Sequence, residues 1–260
     1  MHRKFKSLQL ATPPLPPGLS RIYLSKNDKT GFSINVSIGL SCKPTRLCSQ
    51  YCYGLESRIS LQPSLRRHVQ NFAAFAAMES LPLEVIQWEA RYIADTVLKR
   101  QSFLRIFGVG DLQPGSVRFI NVLAEEAPAL ALWVATRKFD LASELEVRSN
   151  LHVMLSLDSS TLKKDRDKAE TLAKRPGGQF YLAWVQPDPA EKVPKGVAVI
   201  FAEHHFHGGR ATWTKSFDVD PRTCPATIRG GEKHADACSR CRYCFTTEKR
   251  ECRNPHVLGD

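Results

Sequence analysis

The chain has 260 residues, 42% of them hydrophobic and 24% charged, and a formal net charge of +11. This composition is typical of a globular protein with one large domain, alone or with a small appendage. No apolar run approaches the roughly 20 residues that cross a bilayer, and no apolar segment follows the basic N-terminus as it would in a secretory signal. We therefore expect a cytoplasmic protein that has no membrane partner and keeps its thiols reduced.

The positive charge leaves two interpretations open. It indicates either a nucleic-acid partner or a basic, solvated surface. The basic residues are dispersed, and the densest group, at 163–168, is interleaved with Asp165 and Asp167. Dispersed charge favours the solvated surface, and nucleic acid stays a candidate partner.

In chain order, residues 1–20 are basic and then proline-rich, which predicts an extended arm without a core of its own. The polar segment 21–31 predicts a turn, and the alternating apolar residues of 32–39 predict the first strand. Apolar spacing over 64–79 and 82–99 then predicts two amphipathic helices.

The remainder of the domain alternates apolar strands with helices. Strands are predicted over 103–107, 130–137, 151–156, 180–185 and 196–201, and helices over about 116–126, 140–146 and 160–174. Nearly continuous apolar strands separated by helices are typical of a parallel sheet that is buried on both faces. Such a sheet is either open and doubly wound or a partial barrel. We predict an α/β fold: a parallel-stranded partial (β/α)6 TIM-like barrel over 21–210, followed by a cysteine-rich C-terminal segment over 211–260.

Three cysteines, Cys42, Cys48 and Cys52, lie within eleven residues directly after the first predicted strand. Ligand-binding loops of parallel α/β folds gather at the carboxyl ends of the strands, where this loop is placed. Its spacing differs from the usual zinc pattern, and soft thiolates on a tight loop suit an iron–sulfur cluster with one open iron. Zinc remains the alternative.

A second group of cysteines lies near the end of the chain. Cys238, Cys241 and Cys244 repeat the close triplet of bacterial ferredoxins, and Cys224, followed by proline, supplies a remote fourth ligand. This set predicts a closed [4Fe–4S] site, with zinc again as the alternative. Cys252 is an extra cysteine that either replaces Cys224 as a ligand or stays free.

These features resemble two known groups of proteins. The strand, the three-cysteine loop with Tyr51 before its last cysteine, and the repeated β/α units resemble the radical S-adenosylmethionine superfamily. A closer resemblance, over nearly the whole domain, is to a family of phage- and plasmid-encoded cysteine-rich proteins. Those proteins also carry an early cysteine loop and a late Cys-Pro…Cys-x2-Cys-x2-Cys motif followed by an aromatic residue, here Phe245.

The resemblance to the radical enzymes implies a cofactor site. The open iron of the first cluster would chelate S-adenosylmethionine, and Gly108, Gly110, Asp111 and Tyr51 would bind this cofactor. The alternative for the glycine-rich segment is an ordinary tight turn between strand and helix, with Asp111 as the helix-capping acid.

The resemblance also implies the chemistry: one-electron reductive cleavage of S-adenosylmethionine and hydrogen abstraction from a substrate. It implies an electron donor such as a ferredoxin or a flavodoxin. Side chains at the predicted strand ends would face the substrate. These are Thr136, Arg137, Ser156, Asp158, Trp184, Gln186 and Glu203.

Two other functions remain open. One is a non-catalytic iron–sulfur protein that acts in redox sensing or nucleic-acid binding and does not bind S-adenosylmethionine. It is favoured by the basic charge and by the Cys-x5-Cys-x3-Cys spacing, which is longer than the Cys-x3-Cys-x2-Cys spacing usual in radical enzymes. The other is a zinc-stabilised binding module.

Overall fold

A computed structural model of the chain describes residues 21–27, 30–52, 54, 62–186, 191–202, 222–224, 238, 241, 242 and 244. The strands are β1 (Leu24–Asn27), β2 (Gly31–Ile34), β3 (Phe103–Ile106), β4 (Ala131–Thr136), β5 (Leu151–Leu157), β6 (Phe180–Gln186) and β7 (Val197–Ala202). The helices are α1 (Ile38–Ser41), α2 (Arg46–Tyr51), α3 (Gln62–Ala77), α4 (Leu83–Leu98), α5 (Pro114–Glu126), α6 (Phe139–Ser143) and α7 (Lys163–Ala173).

All strands form one seven-stranded sheet whose spatial order is the order in sequence. β1 and β2 are antiparallel, and every later neighbour is parallel. Because parallel crossovers are almost always right-handed, a sheet built in sequential order carries its crossover helices on one face.

The core confirms this arrangement. Alternating strand residues such as Leu104 and Ile106 pack in one large cluster with apolar residues of α3, α4, α5, α6 and α7. Their neighbours Phe103 and Arg105 point to the opposite face, since successive side chains of a strand alternate. We call this opposite face the inner face. A second buried cluster, the inner-face cluster, lies there and consists of Phe103, Trp133, Met154, Ala183 and Val199.

The sequence therefore predicted a mixed α/β fold with six consecutive parallel strands, and this is confirmed. Two predictions near the N-terminus were wrong. The predicted turn over 21–31 contains β1, and the predicted strand over 32–39 ends at Ile34 and is followed by α1. β1 and β7 are the outermost of the described strands, and residues 222–224 pair with β7 through a parallel bridge between Ile200 and Thr223. Curvature into a partial barrel stays a prediction.

Several predicted segments lie outside the described residues. These are the arm over 1–20 and most of the segment over 211–260. In the part of the chain that is described, no helix combines the length and the apolar character needed to cross a bilayer.

Candidate functional site

The first cysteine group lies on two short helices that follow β2. Cys42 directly follows α1, Cys48 lies within α2, and Cys52 directly follows α2. α2 begins after Thr45, whose hydroxyl oxygen accepts the N–H of Cys48 at 3.1 Å. A threonine at this position satisfies a backbone donor of the first helical turn and so determines where the helix starts.

The structure brings these three thiols together. Burial raises the pKa of the Cys42 thiol well above its ordinary value, and the neighbouring Asp111, Cys48 and Cys52 raise it further. The three cysteines are therefore near enough to one another to interact electrostatically. The apolar side chains of Ile38, Leu65 and Val109 pack against Cys42 and Cys52.

The glycine-rich segment after β3 is a tight turn. Gly110 has a φ of +89°, and a Cβ there would lie 2.6 Å from the backbone oxygen of Val36. No other residue fits this position without displacing the chain. A Cβ at Gly108 would lie 3.0 Å from Oδ1 of Asn35, which already accepts the N–H of Val109 at 2.9 Å. The absence of a side chain at both glycines therefore lets this turn lie close to the chain that leaves β2.

Asp111 is buried beside Cys42 and is bonded on several sides. Its N–H donates to Oγ of Ser41 at 3.0 Å, and its Oδ1 accepts the hydroxyl of Thr136 and the N–H of Leu112 at 2.5 and 2.8 Å. Burial raises the pKa of the Asp111 carboxyl in spite of these hydrogen bonds. Its alternative role as a helix cap is wrong, because α5 begins after Gln113. Asp111 links the ends of β3 and β4 to the cysteine loop.

A second buried carboxylate, Asp158, lies at the end of β5. Its Oδ2 accepts the hydroxyl of Thr45 at 2.6 Å and lies 2.8 Å from Nη1 of Arg137. Burial alone would raise the pKa of the Asp158 carboxyl, but the Arg137 charge and the hydrogen bonds of Thr45 and Ser160 outweigh it and lower the pKa. Asp158 is therefore a charged anchor at the carboxyl edge of the sheet.

The second cysteine group lies on the inner face. Cys224, Cys238 and Cys244 pack against the inner-face cluster. Cys224 lies beside β7, since its N–H donates to the oxygen of Ile200 at 2.8 Å and Thr223 forms a parallel bridge with Ile200. Burial raises the pKa of the Cys244 thiol, and the neighbouring Cys224 and Cys238 raise it further. These three predicted ligands are therefore neighbours as well.

Two polar side chains of the inner face contact this group. The hydroxyl of Tyr181 donates to the backbone oxygen of Cys244 at 2.6 Å. The guanidinium of Arg105 stacks on the ring of Trp133, 4.7 Å from its centroid, and lowers the pKa of Cys244 against the effect of burial. Cys241 is disulfide-bonded.

No three His, Cys, Asp or Glu side chains within the described ranges are arranged so that they could hold a metal ion. The predicted ligand sets are thus assembled as neighbours and not in ligating geometry. Cys252, the side chain of Tyr51 and Glu203 lie outside the residues described.

The other predicted strand-end residues differ in position. Trp184 is 2% exposed and packs in the helix-side core, so it does not face a substrate. Gln186 is buried and donates to the backbone oxygen of Glu191 at 2.8 Å. Thr136, Arg137 and Asp158 do meet at one edge, through the contacts of Asp111 and Asp158 described above.

Sequence reasoning missed several residues of both regions. Lys138 donates from Nζ to the backbone oxygen of Leu112 at 2.6 Å; burial lowers its pKa, while Asp111 and Cys42 act in the opposite direction. Thr45 could have been predicted from the sequence as the N-cap of α2, because threonine is a common N-cap residue. Arg105 could have been placed on the inner face, because strand alternation puts it on the face opposite Leu104.

Comparison with known proteins gives one match. The family model described as Gene product 88, a family of phage gene products, matches residues 9–247. No curated protein and no solved structure matches the chain. The resemblance to a phage-encoded family is thereby confirmed, and the resemblance to radical enzymes has no support from these comparisons.

Proposed function

This chain belongs to the gene product 88 family, and we propose that it is an iron–sulfur protein with two [4Fe–4S] sites that acts as a radical S-adenosylmethionine-type enzyme. The observation that carries the proposal is the pairing of two separate thiol groups with one sheet. Cys42 interacts with Cys48 and Cys52, and Cys244 interacts with Cys224 and Cys238. Cysteines used only as small core residues have no reason to collect in two such groups.

Three features around the first group support the proposed cluster, although the three thiols are not in ligating geometry. Cys42, Cys48 and Cys52 would be the ligands. The apolar contacts of Cys42 and Cys52 exclude water from one side, and Oγ of Ser41 lies 3.8 Å from Sγ of Cys42. The positive charge of Lys138 also acts on Cys42. Hydrogen bonds to sulfur, low polarity and a nearby cation are the means by which a protein tunes a cluster.

The second group fits a closed site. Cys224, Cys238, Cys241 and Cys244 would be its ligands, which requires Cys241 in its reduced, thiolate form. Reducing conditions in the cytoplasm, where we place the protein, meet this requirement. Packing on the inner-face cluster shields the site from solvent, and the charge of Arg105 favours thiolate at Cys244.

The bound cofactors would supply a one-electron reductive cleavage and hydrogen abstraction from the substrate, with a ferredoxin or flavodoxin as electron donor. The chain's own part is to bind and orient. Gly108 and Gly110 hold the turn after β3 against the cysteine loop, and Asp111 joins that turn to β4. Gly108, Gly110 and Asp111 are the residues that would bind S-adenosylmethionine.

The test is electron paramagnetic resonance of protein purified without oxygen and reduced with dithionite, with and without S-adenosylmethionine. We expect a [4Fe–4S]⁺ signal that changes when S-adenosylmethionine is added. The matched variants are Cys48→Ser, which removes a predicted ligand of the first site, and Cys244→Ser, which removes one of the second. A signal that does not respond to S-adenosylmethionine refutes the radical enzyme, and zinc without iron refutes both sites.

One observation favours a second candidate, a non-catalytic iron–sulfur protein that does not bind S-adenosylmethionine. The carboxylate of Asp111 accepts hydrogen bonds from Thr136, Leu112 and the backbone of Arg137, so its capacity is used within the chain. On this alternative the protein uses its charge of +11 to bind nucleic acid. Binding of a labelled duplex or single strand that weakens steeply with salt, combined with no response to S-adenosylmethionine, would favour it.

A further inference from the structure

We propose that Asp158 is a positioning residue that fixes the helix carrying Cys48, and with it the geometry of the first cysteine group. The reason to hold Cys48 in place, which is cluster binding, rests on the proposed function. The attachment of the helix to Asp158 rests on hydrogen bonds alone. Asp158 lies at the end of β5 and is fully buried. The cysteine loop reaches it across a sequence separation of 113 residues.

Each oxygen of Asp158 holds the loop through one hydroxyl group. Oδ2 accepts the hydroxyl of Thr45 at 2.6 Å, and that hydroxyl oxygen accepts the N–H of Cys48 at 3.1 Å. Oδ1 accepts the hydroxyl of Ser160 at 2.7 Å, and that hydroxyl oxygen accepts the N–H of Leu47 at 3.0 Å. Two consecutive N–H groups of α2 are therefore connected to one carboxylate. This two-point attachment restricts both the position and the rotation of a short helix.

The carboxylate itself is held rigidly. Nη1 of Arg137 lies 2.8 Å from Oδ2, and the N–H of Ser160 donates to Oδ1 at 2.8 Å. The N–H of Asp158 donates to the hydroxyl oxygen of Thr161 at 3.0 Å. Since hydrogen bonds to a buried charge are stronger than those between neutral groups, this cluster is a firm anchor.

The function needs such an anchor because α2 has only six residues, from Arg46 to Tyr51. A helix this short is not stable by itself and takes its orientation from tertiary contacts. Cys48 lies within it, whereas Cys42 is fixed separately by the burial of α1. Ligands must be held within a fraction of an ångström for a metal site to form. Without the attachment to Asp158, Cys48 would move relative to Cys42.

Asp158→Asn cannot restore the pattern. One oxygen becomes an NH2 group, and in either orientation of the amide this donor faces a donor that cannot reverse, the guanidinium of Arg137 or the N–H of Ser160. Thr45→Val removes the connecting hydroxyl, and Thr45→Ser retains it. Asp140→Asn is the matched control for the charge, because Asp140 is an exposed acid whose ion pair with Lys168 lies on the surface.

The experiment uses metal-free, reduced protein and measures the iodoacetamide alkylation rate of Cys48 and Cys224 by peptide mass spectrometry. We expect Cys48 to react about tenfold faster in Thr45→Val and Asp158→Asn, because the loop opens locally, and Cys224 to react at an unchanged rate. Thr45→Ser and Asp140→Asn should stay within about twofold of the parent chain. A loss of overall stability would accelerate both cysteines alike, so their ratio separates positioning from unfolding.

Equal Cys48 rates in Thr45→Val and Thr45→Ser would overturn the proposal. If Asp158→Asn does not fold, Ser160→Ala decides, because it removes the hydroxyl that connects Asp158 to the N–H of Leu47 and leaves the Thr45 cap in place. Iron content after anaerobic reconstitution is the separate test of the proposed function. Iron in the parent chain and less iron in Thr45→Val would support both the cluster and the positioning role. If the parent chain holds no iron but the alkylation ratio is as expected, the cluster is refuted and the positioning role is retained.

Discussion

The two cysteine regions are held against the same sheet by different combinations of hydrogen bonds and apolar packing. The first lies at the carboxyl edge and is attached by hydrogen bonds to two buried carboxylates, Asp111 and Asp158. The second lies on the inner face and packs against apolar side chains around Trp133. Hydrogen bonds are directional and specify geometry, whereas apolar packing supplies stability with little direction. The difference indicates that the contacts of the first region fix the positions of its cysteines, whereas those of the second region mainly bury its cysteines.

The largest expected effect comes from Trp133→Ala, which removes the main side chain beneath the second region. Trp133 is 3% exposed, and truncation of a buried tryptophan costs about 3–5 kcal/mol. We expect the free energy of unfolding in urea to fall by that amount and Cys244 to become reactive to iodoacetamide. Trp88→Ala is the control, because Trp88 is 52% exposed and should lose less than about 1 kcal/mol. Equal losses in the two variants would contradict apolar packing as the support of the second region.

Gly110→Ala tests whether the first region depends on the close approach of the turn after β3 to Val36. The new Cβ would meet the oxygen of Val36 and would force a φ of +89° on a residue with a side chain. We expect a loss of about 3 kcal/mol in urea unfolding. Gly178→Ala provides the matched control, since Gly178 has a φ of +67° but no atom within 4 Å of its Cβ position, and should lose about 1 kcal/mol. A loss no larger than that of the control would show that the close approach to Val36 is not needed.

One buried histidine lies behind each region. The backbone oxygen of His68 accepts the N–H of Ser37 ahead of α1, and His152 is on the inner face by alternation with Met154. Burial lowers the pKa of each to about 4, from about 6.5 for an exposed histidine. The unfolded chain therefore takes up protons first, and stability is lost as the pH falls from about 6.5 towards 4.

Each histidine should cost about 1.5 kcal/mol between pH 6.5 and pH 5. His68→Gln and His152→Gln cannot take up the proton, so each should reduce the pH dependence of the unfolding free energy by that amount. Urea midpoints at the two pH values measure it, and the contributions of all other groups cancel in the comparison with the parent chain. A parent-like pH dependence in both variants would show that these histidines are not kept neutral by the fold.

The smallest expected effect concerns the hydrogen bond that Tyr181 donates within the second region. Tyr181→Phe removes the hydroxyl that donates to the backbone oxygen of Cys244, and should lower stability by about 1 kcal/mol. Tyr92→Phe, at an exposed position on α4, should leave the unfolding free energy unchanged. If Tyr181→Phe makes Cys244 as reactive to iodoacetamide as Trp133→Ala does, the second region also depends on a directional hydrogen bond.

Periodicity and apolar runs predicted the parallel strands and most helices, since these depend on local pattern and burial. β1 was missed because Leu24–Asn27 has little apolar character and is paired by tertiary context. The first strand was predicted too long because alternation continues past Ile34, whereas the N–H groups of Val36 and Ser37 bond to Val109 and His68 instead of to a neighbouring strand.

The grouping of the cysteines could be predicted from their spacing, but the residues that hold them could not. Thr45 and Asp158 are 113 residues apart, and Ser41 and Asp111 are 70 apart. Such pairs follow only from the order of the strands, which brings the ends of β3, β4 and β5 to one edge. Arg105 and Tyr181 likewise gain their role from a segment that returns to the inner face after β7.

The sequential strand order also has a consequence for biosynthesis. Each β/α unit can join the edge of the sheet as soon as it leaves the ribosome, because its neighbour in space is the unit made just before it. The first cysteine loop is made early, yet its anchor on β5 is made much later, and the second group follows only after β7. The first group therefore lacks its anchor until β5 has been made, and the second group is absent until β7 has been made. If the chain binds clusters as proposed, the second site can be filled only after β7 has been made.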